Sequence, residues 1–238
     1  MGNIGYTTLG RQSGLLREMQ TVANNIANIS TTGYRREGLI FSEFVKVMGP
    51  GEPSLSMSHA NARSFDSSQG ALTQTGGTFD FAIEGDGFFL LETAEGQQLT
   101  RAGSFTPNQE GDLVAADGAR LLDAGGAPIF VPPNAQAVSL AADGTLSADG
   151  VPLNQIGLYL PNDSADLSRR AGVRFAAETG VIPAEDAVIL QGFIEGSNVD
   201  PVAEIARMIE VQHAYELGQK FLDKEDERVR SVMQTLGK

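Results

Sequence analysis

The amino-acid sequence lacks cysteine and tryptophan altogether, and it has only two histidines among 238 residues. Without cysteine the chain has no disulfides, no thiolate zinc site and no Cys nucleophile. Its aromatic content of 7% gives no support for a platform on which sugar rings would stack. His59 and His213 lie far apart in the sequence, and we expect each to be solvated or packed, not to act as a ligand or base. We therefore expect no cofactor.

Positive charge is also scarce, with 17 Lys and Arg against 30 Asp and Glu and a net charge of -13. Binding to nucleic acid or anionic lipid needs clustered positive charge, and no basic run is longer than the pair Arg35-Arg36. No run of about twenty apolar residues could cross a bilayer, and no basic start followed by an apolar block indicates a cleaved signal. We expect no nucleic-acid partner, no direct membrane insertion and, if the protein is exported, a route without cleavage.

The first informative pattern is an amphipathic N-terminal helix that ends in a polar stretch. Its apolar residues recur at alternating spacings of four and three, which predicts a coiled-coil seam; they are Leu15, Met19, Val22, Ile26 and Ile29. Asn24, Asn25 and Asn28 each cost up to about 0.7 kcal/mol against Ala inside a helix. These amides either form a solvated face before a helix stop at Gly33, or they bond to neighbouring chains and fix register.

The chain also ends in a predicted helix, with Asp200 suited to the N-cap and Pro201 to the first helical position. A 3-4 repeat continues from there, interrupted at Gly218 and Glu225, and its apolar members are Met208, Val211, Tyr215, Leu222, Val229, Val232 and Leu236. A seam of this length has to be buried against something. The two ends of the chain are therefore expected to pair with each other, with other copies, or with both.

Between the helices, the pattern becomes β at Phe79, where Phe79, Phe81 and Ile83 alternate strictly. Short strand candidates follow, separated by Asp-Gly pairs that suit hairpin turns. The sequence predicts an α+β fold, in which N- and C-terminal helices pair in coiled-coil fashion around an inserted all-β, hairpin-rich domain. The expected divisions are a terminal helical assembly domain at 1–33 and 197–238, an extended connector at 34–69 with a turn at 49–51, and a β domain at 70–196.

Three motifs in this order resemble the flagellar basal-body rod and hook family. The first is Ala23 to Tyr34, an Ala-Asn-Asn-apolar-Ala-Asn run that closes in Thr-Thr-Gly-aromatic. The second combines residues 70–76, 81–89 and 100–105, and the third runs from Glu195 to Asp200 with Met208-Ile209 and residues 214–216. Within the family, the length and the Arg35-Arg36-Glu37 run are most similar to proximal rod proteins, with distal rod and short hook proteins as near neighbours.

The resemblance implies a structural axial subunit that polymerises helically through its terminal helices and transmits torque, with no enzymatic step. Its implied partners are copies of itself and other flagellar rod proteins, and the type III export apparatus during secretion; its implied location is the periplasmic rod of the basal body. The residues expected at subunit contacts are Leu15, Met19, Val22, Asn24, Asn25, Ile26, Asn28, Ile29, Thr31, Thr32, Gly33, Ser197, Asn198, Val199, Asp200, Met208, Val211, Tyr215, Leu222, Val229, Val232 and Leu236. His213 and Pro201 depart from the usual family residues, and 161–183 matches no family pattern.

The competing class is an enzyme, a carboxylate-using hydrolase. Its acidic residues would be Asp80, Glu84, Asp86, Asp117, Asp143 and Asp149. Paired carboxylates would have to lie about 5–10 Å apart, but most of these residues adjoin Gly in predicted turns, where Asp bonds to the backbone. Calcium binding by acidic turns is a second alternative, although no Asp-x-Asp-x-Asp-Gly loop is present.

Overall fold

A computed structural model describes residues 3–46, 55–163, 166–184 and 187–236. Over these residues the chain forms a helix near each end and eighteen strands between them, in agreement with the predicted α+β class. It divides into two compact units. The helical unit draws on Met1–Ile29, Arg36–Asp66 and Val199–Lys238, and the β unit on Ser30–Arg35 and Ser67–Asn198. Neither helix of the described part is long and apolar enough to cross a membrane.

The helical unit contains α1 (Asn3–Ala27), β1 (Glu37–Lys46), β2 (Leu55–Phe65) and α2 (Pro201–Leu236). β1 and β2 pair antiparallel, from Glu37 opposite Phe65 to Lys46 opposite Leu55. This hairpin stands where we expected an extended connector without regular structure. The Ser- and Ala-rich sequence of β2 hid the strand, because a backbone ladder forms without apolar side chains. The predicted turn at 49–51 lies outside the described residues.

α2 begins as the sequence predicts. The Asp200 carboxylate accepts hydrogen bonds from the backbone N–H groups of Val202 at 2.8 Å and Ala203 at 3.2 Å, and Pro201 is the first helical residue. The first N–H groups of a helix have no partner within it, so this cap supplies one. The predicted N-cap is confirmed.

The β unit is built from short strands joined by tight turns. Its strands are β3 (Leu72–Gln74), β4 (Phe81–Glu84), β5 (Phe88–Thr93), β6 (Gly96–Thr100), β7 (Thr106–Pro107), β8 (Leu113–Val114), β9 (Arg120–Leu121), β10 (Val138–Leu140), β11 (Thr145–Ala148), β12 (Val151–Gln155), β13 (Leu158–Pro161), β14 (Leu167–Arg169), β15 (Arg174–Ala177), β16 (Val181–Pro183), β17 (Val188–Gln191) and β18 (Phe193–Glu195). The largest sheet follows the order β14-β15-β6-β5-β9-β8-β7, with β13 joined to β5 and β16. Smaller sheets pair β10-β11-β12, β17-β4 and β18-β3.

One apolar core occupies the β unit. Phe81 and Ile83, two of the three residues whose alternation predicted the first strand, are buried there with Phe89, Leu91 and Leu121. Phe79, the third, packs against this core and is partly buried. Since β17 and β18 hydrogen-bond to β4 and β3, the last strands of the unit close on its first strands.

Candidate assembly surface

The two terminal helices contact each other along the helical unit. The Gln12 amide donates to the Tyr215 carbonyl at 2.9 Å, and Nε of Arg207 donates to the Glu18 carboxylate at 2.7 Å. Contacts that advance along α1 therefore move backwards along α2, so the helices are antiparallel. Val22 and Val211, which belong to the two predicted seams, are both buried.

The interface also contains polar side chains that the seam analysis missed. Gln12, Glu18, Thr21, Asn25 and Glu204 are buried. Several recur at three- and four-residue intervals, so the spacing was present but the polar residue types concealed it. Gly218 interrupts the apolar repeat at the point where Gln12 crosses, and a Cβ there would lie 2.2 Å from the Gln12 amide nitrogen. Gly218 therefore leaves room for the Gln12 side chain to reach the Tyr215 carbonyl.

Asn25 is the centre of a polar group that we call the helical-unit cluster, made of Asn25, Arg36, Glu37 and Glu204. The Asn25 amide donates to the Glu37 carbonyl at 2.9 Å and to the Glu204 carboxylate at 3.2 Å, and its oxygen accepts from the Glu37 N–H at 3.0 Å. Nε of Arg36 lies 2.5 Å from the other Glu204 oxygen. Asn25 and Glu204 are almost fully buried, so the cluster joins α1, the start of β1 and α2.

The other two asparagines have a different environment. Asn24 is exposed and Asn28 is half-buried. The Asn28 amide donates to the Asn24 backbone carbonyl at 2.8 Å and to its side-chain oxygen at 3.2 Å. The three amides that the sequence grouped together are therefore divided between the interior of the unit and its surface.

In the β unit, Glu195 holds two buried arginines in a second group, which we call the β-unit cluster (Arg35, Arg101 and Glu195). Arg35 lies 3.0 Å from one Glu195 oxygen and Arg101 3.2 Å from the other. All three side chains are at least 97% buried. The Gly70 N–H also donates to Glu195, at 2.8 Å. Burial lowers the pKa of Arg101 to about 10, against the raising effect of Glu195, so Arg101 remains charged at neutral pH.

The predicted terminal motifs meet at this cluster. The Gly33 N–H donates to the Glu195 carbonyl at 2.8 Å, and the Asn198 N–H donates to the Tyr34 carbonyl at 3.3 Å. The Asn198 amide donates to the Ser68 carbonyl at 2.9 Å. Gly33 has a φ of 69°, and a Cβ at this residue would lie 2.2 Å from the Ala102 nitrogen, so no other residue fits here. The Thr-Thr-Gly-aromatic motif thus docks within its own chain.

Three of the six acidic residues that were considered for a hydrolase accept hydrogen bonds from backbone N–H groups. Asp117 accepts from the Ala119 N–H at 3.2 Å, Asp143 from the Thr145 N–H at 2.9 Å, and Asp149 from two backbone N–H groups. The Thr145 hydrogen bonds lower the pKa of Asp143. Asp80 accepts from two hydroxyls. Among the described residues, no group of three or more His, Asp or Glu could hold a metal ion.

The predicted subunit-contact residues separate into two sets. Most are buried or half-buried within the single chain: Leu15, Met19, Val22, Asn25, Ile26, Asn28, Ile29, Thr31, Thr32, Gly33, Ser197, Asn198, Val199, Met208, Val211, Tyr215 and Leu222. The exposed members are Asn24, Asp200, Val229, Val232 and Leu236. The seam of α2 is therefore covered in its first part and open in its last part.

The open part follows from the unequal lengths of the helices. Tyr215 lies opposite Gln12, and counting back nine residues from Gln12 reaches Asn3, the first residue of α1. Counting nine residues forward from Tyr215 reaches Lys224, so residues 225–236 extend past α1. Every residue from 226 to 236 is exposed. We call residues 226–236 the α2 overhang; at 1.5 Å per residue it is about 16 Å long.

Exposed apolar side chains concentrate on the helices. α2 alone has nine large ones: Val202, Ile205, Ile209, Leu217, Phe221, Val229, Val232, Met233 and Leu236. Val202, Ile205 and Ile209 recur at helical spacing on the side of α2 opposite the buried residues Glu204 and Val211. The seam analysis missed this second stripe, although its spacing was readable. Contiguous exposed apolar surface of this kind marks proteins that pack with further chains.

Three families of known proteins match the chain along its length. "Flagella basal body rod protein" matches residues 6–35, "Flagellar hook protein FlgE/F/G D1 domain" residues 82–148 and "Flagellar basal body rod FlgEFG protein C-terminal" residues 190–235. Together these three matches cover most of both helices and much of the β unit.

Curated relatives match over almost the whole chain. The "Flagellar basal-body rod protein FlgF" of Caulobacter vibrioides is 40% identical, covering 100% of this chain and 99% of the relative. The protein of the same name from Mesorhizobium japonicum is 35% identical over 95% of this chain and 96% of its own. The "Flagellar basal-body rod protein FlgG" of Bacillus subtilis is 28% identical over 96% and 97%. The chain belongs to the flagellar basal-body rod and hook family, whose members are structural subunits.

Proposed function

We propose that this chain is a rod subunit of the flagellar basal body, of the proximal type, which adds to a helical assembly through α1 and α2 and transmits torque. The single observation that carries the assembly step is the α2 overhang, a helical end whose exposed apolar residues Val229, Val232, Met233 and Leu236 lie on one face. Helical growth needs contacts between unlike surfaces that do not close on themselves. An overhang that reaches past its own α1 offers one such surface to the next subunit.

The proximal position is supported by the relatives of highest identity reported above, which are both named FlgF. Distal rod and hook positions are the alternatives within the family, since a FlgG protein also matches over nearly the full length. The partners would be copies of this chain and other rod proteins. Export would proceed through the flagellar type III apparatus without a cleaved signal, to the periplasmic rod. The proposal includes no catalytic step.

The test places charge on the overhang. The double variant Val232→Asp/Leu236→Asp replaces exposed side chains of α2, and Val151→Asp is the matched control on the β unit, where Val151 is 62% exposed. Each is expressed in a strain that lacks the native gene, and motility and rod formation in isolated basal bodies are scored. We expect the overhang variant to abolish both and the control to retain them. Wild-type motility of the overhang variant would sink the proposal.

Two further measurements separate assembly from other failures. Circular dichroism of the purified variants should match the parent, because no buried contact is changed. Detection of the variant outside the cytoplasm shows that export continues.

The same motility assay, applied to Asn24→Ala/Asn28→Ala, tests the proposal that these two amides fix subunit register. Intact rods would exclude that role.

A further inference from the structure

Residues 161–183 match no family pattern, yet two strands from this segment lie beside the docked N-terminal motif of the β unit. β14 and β15 form an antiparallel hairpin in which Arg169 is opposite Phe175. β15 in turn pairs with β6, with Phe175 opposite Leu99. Phe175 is fully buried. The hairpin is therefore an integral edge of the largest sheet and not an appended loop.

Arg169 projects from this hairpin between two aromatic rings. Its guanidinium carbon lies 4.4 Å from the centre of the Tyr34 ring and 4.9 Å from the centre of the Phe175 ring. Its Nη2 donates to the Arg35 carbonyl at 2.6 Å, and its Nη1 donates to the Gly172 carbonyl at 3.1 Å. Tyr34 is itself 1% exposed. Arg169 itself is half-buried, and a cation–π contact is stronger where the cation is partly shielded from water than on a fully exposed surface.

The stack of Arg169 between Tyr34 and Phe175 connects to the β-unit cluster, and together these contacts form a closed circuit. Phe175 meets Phe88 edge-to-face at 5.9 Å, and Arg101 lies 5.4 Å above the Phe88 ring. Arg101 pairs with Glu195, which pairs with Arg35, the residue after Tyr34. Each member therefore restrains its neighbours. Two members of this circuit, Arg169 and Phe175, come from 161–183.

We propose that the β14–β15 hairpin is a clamp that fixes residues 31–35 on the β unit, with Arg169 as its positioning residue. Arg169 holds the Tyr34 ring by stacking and the Arg35 backbone by hydrogen bonding, and it thereby sets the direction in which the Arg35 side chain reaches Glu195. This gives the segment without a family pattern a specific role. The proposal concerns the isolated chain and does not depend on the proposed assembly.

Amide hydrogen exchange of the purified full chain tests the clamp. In Arg169→Met the side chain keeps much of its apolar length but loses the charge, the planar stack and the donors. Arg170→Met is the matched control, because Arg170 is the next residue and its side chain forms an exposed pair with Glu178 at 3.8 Å. The reporters are the amides of Gly33, bonded to Glu195, and Tyr34, bonded to Thr31. The internal reference is the Leu91 amide of β5, in the sheet core.

We expect exchange at Gly33 and Tyr34 to accelerate about tenfold in Arg169→Met relative to the control, since the hydrogen bond from the charged guanidinium to the Arg35 carbonyl and the half-buried cation–π contacts together correspond to about one decade in equilibrium constant. Exchange at Leu91 should stay unchanged. Arg169→Lys, which keeps the charge without the planar fork, should fall between the two. Equal acceleration at Leu91, or no difference from Arg170→Met, would overturn the clamp. If Arg169→Met does not fold, the same comparison is made with Arg169→Lys.

Discussion

At Asn25 a single carboxamide satisfies both backbone groups of Glu37 and also reaches Glu204. The side chain is completely buried, so no water could replace it. A carboxamide suits this position because it offers one donor and one acceptor side by side. It thereby bonds to the Glu37 backbone as a neighbouring strand would. Asn25 thus links the helix to the first residue of β1.

Replacing Asn25 by Ala should destabilise the helical unit by about 1–3 kcal/mol, because the N–H and C=O of Glu37 lose their partner in a buried place. Asn24→Ala is the control one residue away; Asn24 is exposed, and Ala in a helix gains up to about 0.7 kcal/mol over Asn. The measurement is urea unfolding followed by far-UV circular dichroism. Equal stability of the two variants would contradict the role of Asn25.

In the β unit, Glu195 neutralises two buried arginines, Arg35 and Arg101. Glu195→Gln keeps the shape but removes the carboxylate charge that Arg35 and Arg101 share, and breaking a buried pair in this way costs about 3–5 kcal/mol. Glu92→Gln removes one partner of an exposed pair with Arg120, 2.7 Å apart, and should cost no more than about 1 kcal/mol. Thermal unfolding of both variants measures the difference. A Glu195→Gln protein as stable as Glu92→Gln would show that the cluster does not stabilise the β unit.

The residue scale also shows where sequence reasoning reached its limit. The spacing of Asn24, Asn25 and Asn28 marked an unusual helix face, and the structure gives each a hydrogen bond. Which amide is buried could not be predicted, because the partners of Asn25 lie 12 and 179 residues away. Long-range pairing of this kind leaves no local periodicity.

At the scale of elements, the features that depend on neighbouring residues could be predicted from the sequence. The start of α2 could be read from Asp200 and Pro201, since a cap bonds to residues two and three positions away. The β1–β2 hairpin could not, because its stability comes from a cross-strand ladder and from contact with α1. The 3-4 repeats predicted the two terminal helices, but they missed the buried residues Gln12 and Glu204 because polar and charged residues were expected to be exposed. Gln12, opposite Gly218, shows that a polar residue can be buried between the two helices.

At the scale of the whole molecule, the chain passes between its two units at residues 29–30, 35–36, 66–67 and 198–199. Each unit ties its own ends together with a buried polar cluster. In the helical unit this is done by Asn25, Arg36 and Glu204, and in the β unit by Arg35 and Glu195. The adjacent residues Arg35 and Arg36 thus pair with carboxylates of different units, Glu195 and Glu204. Both terminal motifs contact other residues of their own chain.

Limited proteolysis of the purified chain tests whether α1 and α2 pair within one free subunit. Because α1 and α2 are paired up to about residue 224, trypsin should first cut the α2 overhang, after Arg228 and Arg230, whose exposed side chains pair only within the helix, with Glu225 and Asp226. Cuts after Arg11 and Arg17 of α1 should come much later, since proteolysis follows local opening. Mass mapping over time should therefore show a fragment with an intact N-terminus that lacks the last turns of α2. Early loss of α1, leaving only the β unit, would mean that the two helices do not pair within one free chain and that their contact forms only in the assembled rod.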